Sequence, residues 1–339
     1  MTATSTPRPT LTGTQSFITA EVARTLLPTR AYGAHKWGVG GLIVVAGSPI
    51  YTGAALLSTR AAARSGAGIV QLATGRGVIA TIASSVPEIT HIILPETDSP
   101  SAARRALDEL SEHLEKASAL LIGPGLGRDD NARELLSALF GLGTRKEAER
   151  RGIGFAPVTP SAETAVTAST SPLFAREDLP IVVDADALNW LADQESWWES
   201  LPAGRLVLTP HPGELSRLTG KETDALTADP ITAAEEAAKL WKQTVVFKYG
   251  HTVVTDGETT FVADDAPTSL ATAGTGDILA GTIASFLAQG LTALHAASLA
   301  VHVGAAAARR VETRFGTLGL LASDLPEAIA EELHALAQN

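Results

Sequence analysis

GLIVVAGSPIYTGAA, residues 41–55, decides the fold. Gly41 to Ala46 is a nearly continuous apolar run, which fits a strand covered on both faces. A glycine loop follows and opens a helix candidate from Ala54 to Ser65. Strand, turn and helix make half of a βαβ unit. The same alternation continues outward. Short runs rich in Val, Ile and Leu at Ile69 to Ala73, Ala119 to Ile122, Ile181 to Val183, Arg205 to Leu208, Thr244 to Phe247 and Thr252 to Thr255 are predicted strands. Helices are predicted at Ser101 to Lys116, Ala132 to Phe140, Ala187 to Ala192, Gly213 to Leu218, Pro230 to Gln243, Asp277 to Gln289, Leu291 to Glu312 and Leu325 to Ala337. The pattern predicts an α/β fold: a doubly wound, mostly parallel sheet with helices on both faces.

Composition narrows the class. A chain of 339 residues that is 45% hydrophobic can bury a large core. No run of about 18 uncharged apolar residues stands out, so no membrane span is expected. Residues 1–16 are expected to be a disordered tail, Thr/Pro-rich over Met1 to Gly13 and without the apolar segment of a signal peptide, and 17–339 a single domain. With no cysteine there is no disulfide, thiolate nucleophile or cysteine metal site, which fits a cytoplasmic protein. A net charge of −11 argues against nucleic acid and anionic membranes as partners. A phosphorylated small molecule remains compatible, because screening over about 8 Å leaves local donors in control.

One stretch breaks the alternation. From 141 to 179 a mixed charge run, Arg145 to Arg151, precedes a Thr/Ser/Pro/Ala-rich segment, and this is expected to be a mobile surface insertion with the charges on a solvated face. The pair Trp197-Trp198 is expected to pack in a core or interface.

The chemistry concentrates in loops that follow strands. In Ala271-Thr272-Ala273-Gly274-Thr275-Gly276-Asp277, small residues admit a ligand close to the backbone, and the apolar stretch from Ile278 starts a helix. A helix N-terminus offers unpaired N–H groups and partial positive charge, so it can hold a phosphate without a lysine. Asp277 is the only charge there and suits proton removal from a hydroxyl. Gly47 to Ala55 and Gly123-Pro124-Gly125-Leu126-Gly127 are backbone cradles at strand ends, where open α/β sheets bind ligands. Asp184-Ala185-Asp186-Ala187-Leu188-Asn189 places two carboxylates and an amide after a strand, as helix caps or as site residues. In Thr209-Pro210-His211-Pro212-Gly213-Glu214, packing alone explains His211 poorly. Glu214 is either a helix-dipole partner or a ligand of a water-coordinated Mg²⁺. Lys248 ends a strand and can pair with phosphate.

Together GSPIYTGAA, GPGLG, DADALN, TPHPGE, KYGHT, ATAGTGDILAG and GLLASDL (Gly319 to Leu325) resemble, in order and rough spacing, the NAD(P)H-hydrate dehydratase family, a branch of the ribokinase-like superfamily. The resemblance runs from about Phe17 to the C-terminus, the insertion excepted. It implies repair of the hydrated cofactors NADHX and NADPHX: a nucleotide, ADP in most bacterial members or ATP, phosphorylates the ring hydroxyl, Mg²⁺ bridges the phosphates, and phosphate is eliminated. It also implies that Ala54, Ala55, Gly125 and His211 contact the dinucleotide, that Asp277 activates its hydroxyl, and that Lys248, Tyr249, Gly250, His251, Thr252, Gly274, Thr275 and Gly276 hold the adenine nucleotide. Family precedent suggests a homo-oligomer. The epimerase domain fused in some bacterial members is expected to be absent, since too few residues precede Gly41. Two departures stand out: Tyr249 follows the lysine where glycine is common, and Trp37 interrupts an HKG-type element at His35 to Gly38. The alternatives are a small-molecule kinase of the same superfamily, of the hydroxyethylthiazole or pyridoxal kinase type, and a catalytically silent nucleotide sensor.

Overall fold

The computed structural model describes residues 8–95, 100–142 and 171–338. Ten strands form one sheet: β1 (Gln15–Ile18), β2 (Gly41–Val45), β3 (Ile69–Thr74), β4 (Thr90–Ile93), β5 (Ala119–Ile122), β6 (Ile181–Val183), β7 (Leu206–Leu208), β8 (Thr244–Phe247), β9 (Val253–Thr255) and β10 (Thr260–Ala263). Their order is β1-β10-β9-β8-β7-β6-β5-β2-β3-β4. Every pair is parallel except those of β9, which runs antiparallel to β8 and β10. All seven strands expected from sequence are present. The three unexpected ones, β1, β4 and β10, lie at or beside the sheet edges, where strands are short and part-exposed.

The helices of the described residues that frame the sheet and the site include α1 (Thr52–Arg64), α2 (Pro100–Leu114), α3 (Asp130–Phe140), α4 (Asp186–Ala192), α5 (Pro212–Thr219), α6 (Pro230–Trp241), α7 (Thr275–Ala288), α8 (Ala293–Phe315) and α9 (Leu325–Gln338). Short helical turns add to these. Because successive strand side chains point to opposite faces, Leu42 and Val44 join one core and Ile43 and Val45 the other. The first core lies under α1, α7, α8 and α9; the second lies under α2 to α6. Trp197 is in this second core, beside Trp198 and Trp241. The doubly wound α/β architecture expected from the sequence is the one observed.

Two boundaries differ from expectation. The chain is anchored before residue 17: Arg8 pairs with Asp264 at 2.5 Å and lies over the Phe17 ring, and β1 pairs with β10. A polar, four-residue strand gives little hydrophobic signal on its own. At the other boundary, residues 143–170 of the expected insertion lie outside the described residues. Its far end is core: Ser171, Leu173 and Leu179 are fully buried, and the Ser171 hydroxyl donates to the Leu139 carbonyl.

The contact that aims the site is between α7 and α1. A Cβ added at Gly281 would stand 2.2 Å from the Ser58 carbonyl oxygen, so only glycine lets the helices approach this closely. Gly281→Ala is expected to force them apart and to lower unfolding free energy by roughly 1–3 kcal/mol, measurable as a lower urea midpoint.

Candidate functional site

The C-terminal ends of β2, β5, β6, β7 and β8 open on one rim, and the first turn of α7 is brought to the same rim. Gly274 caps α7 in the left-handed conformation (φ 89°). A Cβ there would clash with Leu57 Cδ1 at 2.6 Å and press on Ala322 at 3.0 Å. Among the described residues no acceptor takes the backbone N–H of Gly276 or Asp277, so two donors point outward with the dipole behind them. Thr275, by contrast, uses its hydroxyl within the turn, toward Leu270 O and Thr272 O.

Lys248 sits at the centre. Its Nζ is 2.8 Å from Asp184 Oδ1 and 3.9 Å from Glu214 Oε2. It is also 3.5 Å from where a Cβ at Gly276 would stand, which sets the ammonium against the first turn of α7. Burial disfavours the Lys248 charge, but the Asp184 and Glu214 carboxylates outweigh it and raise its pKa. Burial is the main force on both other acids. It pushes Asp277 up from 3.8 to about 7, with Asp184 adding and Lys248 opposing. It pushes Glu214 up from 4.5 to about 7, against the pull of Lys248.

His211 has a structural role that the sequence did not reveal. Its Nδ1 accepts from the N–H groups of Gly213 and Glu214, and the Glu214 carboxylate accepts from the His211 N–H at 2.9 Å, a reciprocal cap on α5. Burial, then the Lys248 charge, lowers its pKa, so at neutral pH the ring is uncharged, and Nε2 of the half-exposed side chain, 3.5 Å from Glu214 Oε1, carries the hydrogen.

The two glycine loops, read separately in the sequence, meet. A Cβ at Gly125 (φ 61°) would lie 2.7 Å from Ala54 Cβ and 2.8 Å from Tyr51 Cβ. Ala55 differs: it is fully buried, and a Cβ at Gly47 would stand 2.8 Å from its own Cβ. Adjacent helical residues face different directions, so only Ala54 is turned toward the Gly125 loop.

Beside α7 lies a cavity of about 410 Å³ lined by Lys248, Tyr249, Gly250, Thr252, Thr275 and Gly276 on the rim, with an apolar floor that includes Ile278, Val301 and Ile329. His251 and Gly274, expected here too, do not line it. His251 is buried with its Nδ1 2.7 Å from the Ala263 carbonyl, because the hairpin from β8 to β9 turns it inward. Tyr249 stacks on Phe247 at 6.2 Å between ring centres. Asp265, also on the cavity wall, is clamped by Arg309 through two bonds of 2.7 Å. Asp265 carries no signal in the sequence, and the runs holding Thr209 and Asp184 do not reveal that these two residues meet each other and Lys248. Asp184 was signalled only by its place directly after a buried strand.

The model of the NAD(P)H-hydrate dehydratase family matches residues 42–142 and 162–331. The chain belongs to this family. It is 34% identical to the bifunctional NAD(P)H-hydrate repair enzyme of Moorella thermoacetica over 97% of its own length and 56% of that protein. Thus it spans about half the length of the curated bifunctional relatives it matches. It is 32% identical to the ADP-dependent (S)-NAD(P)H-hydrate dehydratase of Xanthomonas campestris pv. campestris, covering 89% of this chain and 91% of that one. The crystal structure of the ADP/ATP-dependent NAD(P)H-hydrate dehydratase of Bacillus subtilis, co-crystallized with ATP/Mg²⁺, superposes with a TM-score of 0.71 at 27% identity, covering 94% and 98% of the two chains. The fold is ribokinase-like. As for the membrane, no described helix is long and apolar enough to cross one.

The raised Asp277 pKa has a consequence for stability. Between pH 3.8 and about 7 the folded state keeps a proton that the unfolded state has lost, so this group costs stability as pH rises and imposes its full penalty above about 7. Asp277→Asn removes the charge. The variant should melt a few degrees above the parent at pH 8 and level with it near pH 4, as calorimetry would show.

Proposed function

We propose that this family member dehydrates NADHX and NADPHX at the expense of ADP or ATP. The observation that carries the proposal is Asp277: a mostly buried carboxyl, held near a pKa of 7, in the first turn of a helix whose free N–H groups face the same space. A general base works best with a pKa near the operating pH, and preorganised N–H donors stabilise the charge that develops on a transferred phosphoryl group. Asp277 takes the proton of the ring hydroxyl while the terminal phosphorus–oxygen bond of the nucleotide breaks and a bond to the ring oxygen forms. Phosphate then leaves with the ring carbon–oxygen electrons, a ring proton is lost, and the dihydropyridine is restored. The ring nitrogen assists that departure, so no second strong acid is required.

In this proposal the adenine nucleotide takes the 410 Å³ cavity, with Lys248 and Gly276 toward its phosphates. The hydrated dinucleotide lies over Ala54, Gly125 and the half-exposed His211. ADP is the preferred donor, supported by the Xanthomonas relative; the Bacillus relative is described as ADP/ATP-dependent. Protein ligands for Mg²⁺ are sparse. No group of three or more His, Asp or Glu able to hold a metal occurs among the described residues, and Lys248 stands 3.9 Å from Glu214. The fit is therefore to a Mg²⁺ carried by the phosphates and largely hydrated, with Glu214 reaching it through water. Bound there, Mg²⁺ supplies charge neutralisation on the phosphates. A homo-oligomer in the cytoplasm is part of the same proposal, on family precedent.

Purified protein with Mg²⁺, ADP or ATP, and NADHX should yield NADH, inorganic phosphate and the nucleotide shortened by one phosphate in equal amounts, followed by NADH absorbance. Nucleotide left intact, or faster phosphorylation of a thiazole alcohol or pyridoxal, would replace the dehydratase by the kinase alternative. Because Asp277 must be deprotonated to act, kcat/KM should rise tenfold per pH unit below about 7 and level off above it. Asp277→Asn should reduce kcat by roughly 10²-fold or more while nucleotide still binds. A variant with near-parental kcat would remove Asp277 from the role of base.

A further inference from the structure

Asp184 is a carboxylate only 1% exposed, at the end of β6. It does not cap α4: the cap position is Ala185, which makes no side-chain capping bond. Ala185 instead adopts φ 51° and ψ −116°, a conformation that strains a residue bearing a Cβ. Neighbours hold the turn. The Asn189 side-chain amide donates to the Ala185 carbonyl at 3.1 Å, and Arg217 donates to Asn189 at 2.8 Å. Gly123 (φ 127°) lies so close that a Cβ there would stand 1.9 Å from the Asp184 carbonyl oxygen. Strain maintained by so many partners marks a side chain whose direction matters.

That direction is inward, to cations and donors. Asp184 Oδ1 accepts from Lys248 Nζ at 2.8 Å and from the Thr209 hydroxyl at 2.6 Å. A buried carboxylate is tolerable only when paired in this way. Lys248, whose proton is held more tightly than usual, is thereby fixed against the first turn of α7. The charged groups that act on Asp277 are Asp184, Lys248 and Asp186.

We propose that Asp184 is a positioning residue for phosphoryl transfer: with Thr209 it holds the Lys248 ammonium beside the first turn of α7, from which the ammonium passes its hydrogen bonds to the transferred phosphoryl group. The inference rests on the proposed function for its reaction, though the anchor itself exists without substrate. During transfer the ammonium keeps its proton and neutralises the non-bridging oxygens. The proton released by the acceptor hydroxyl goes to Asp277. Once the phosphate departs, Asp184 recaptures the ammonium.

Asp184→Asn preserves size and removes the charge. In the free protein, ¹³C NMR of labelled aspartate should show Asp277 titrating near 7 in the parent and at distinctly lower pH in the variant, since a facing negative charge is gone. With NADHX and nucleotide, kcat should fall by roughly tenfold or more while KM for NADHX stays within about twofold. A residue that only shapes the loop would lower the melting temperature and leave kcat of the folded variant close to that of the parent. Should Asp184→Asn fail to fold, Thr209→Val is expected to lower kcat several-fold and Thr209→Ser to restore it. A folded Asp184→Asn protein with near-parental kcat overturns the proposal, as does a Thr209→Val protein indistinguishable from Thr209→Ser. If the parent itself regenerates no NADH, the proposed function fails, and ¹⁵N NMR of the Lys248 ammonium still decides the anchor: its hydrogens should exchange slowly in the parent and fast in Asp184→Asn, and unchanged exchange overturns it.

Discussion

The close approach of α7 to α1 is the constraint on which the site depends. From Ile278 to Ala288 nearly every side chain of α7 is buried, and Gly281 brings its backbone against Ser58. A helix so enclosed cannot shift or roll without disrupting a close-packed core. Only its first turn is free of the core, and it emerges at the strand ends with unpaired N–H groups facing outward. The small residues of the Ala271 to Gly276 run serve this geometry. Gly274 supplies the left-handed cap where a side chain would collide with Leu57 and Ala322, and the Lys248 ammonium lies beside Gly276.

Electrostatics at the rim follow from that enclosure. Asp184, Glu214 and Asp277 gather around a single ammonium, and burial works against the charges of Glu214, Asp277 and Lys248. Three carboxylates sharing one cation cannot all ionise cheaply. The outcome is one firmly charged lysine beside two acids that hold or release protons near neutrality. Proton transfer near neutral pH thus arises from burial and shared charge.

Much of this was legible in the sequence, for identifiable reasons. The seven central strands are buried on both faces and read as apolar runs, whereas β1 (QSFI) and β4 (THII) are edge strands whose polar positions dilute the pattern. The far end of the expected insertion was misjudged because Ser171, Leu173 and Leu179 pack against residues distant in sequence. Asp277 announced itself as the lone charge among small residues before a helix. Asp184 did not, because its importance lies in Lys248 and Thr209, which reach it from β8 and from the end of β7. His211 looked like a ligand contact alone, since a cap formed by an imidazole nitrogen has no propensity signal, and Ala54 could not be told from Ala55 without knowing how α1 is turned.

The antiparallel return of β9 divides the molecule in another respect. By doubling back after Lys248, the chain builds the cavity from residues 248–329 alone, a continuous C-terminal stretch. The glycine loops and His211 come from residues 47–54, 123–127 and 209–214. Donor and acceptor halves of the proposed site are thus separately encoded, and they meet only at Lys248 and Asp277. Substitution at Ala54 or Gly125 can reshape what the proposed site accepts while Lys248 and Asp277 stay in place, a division that lets one scaffold acquire new acceptors by local change.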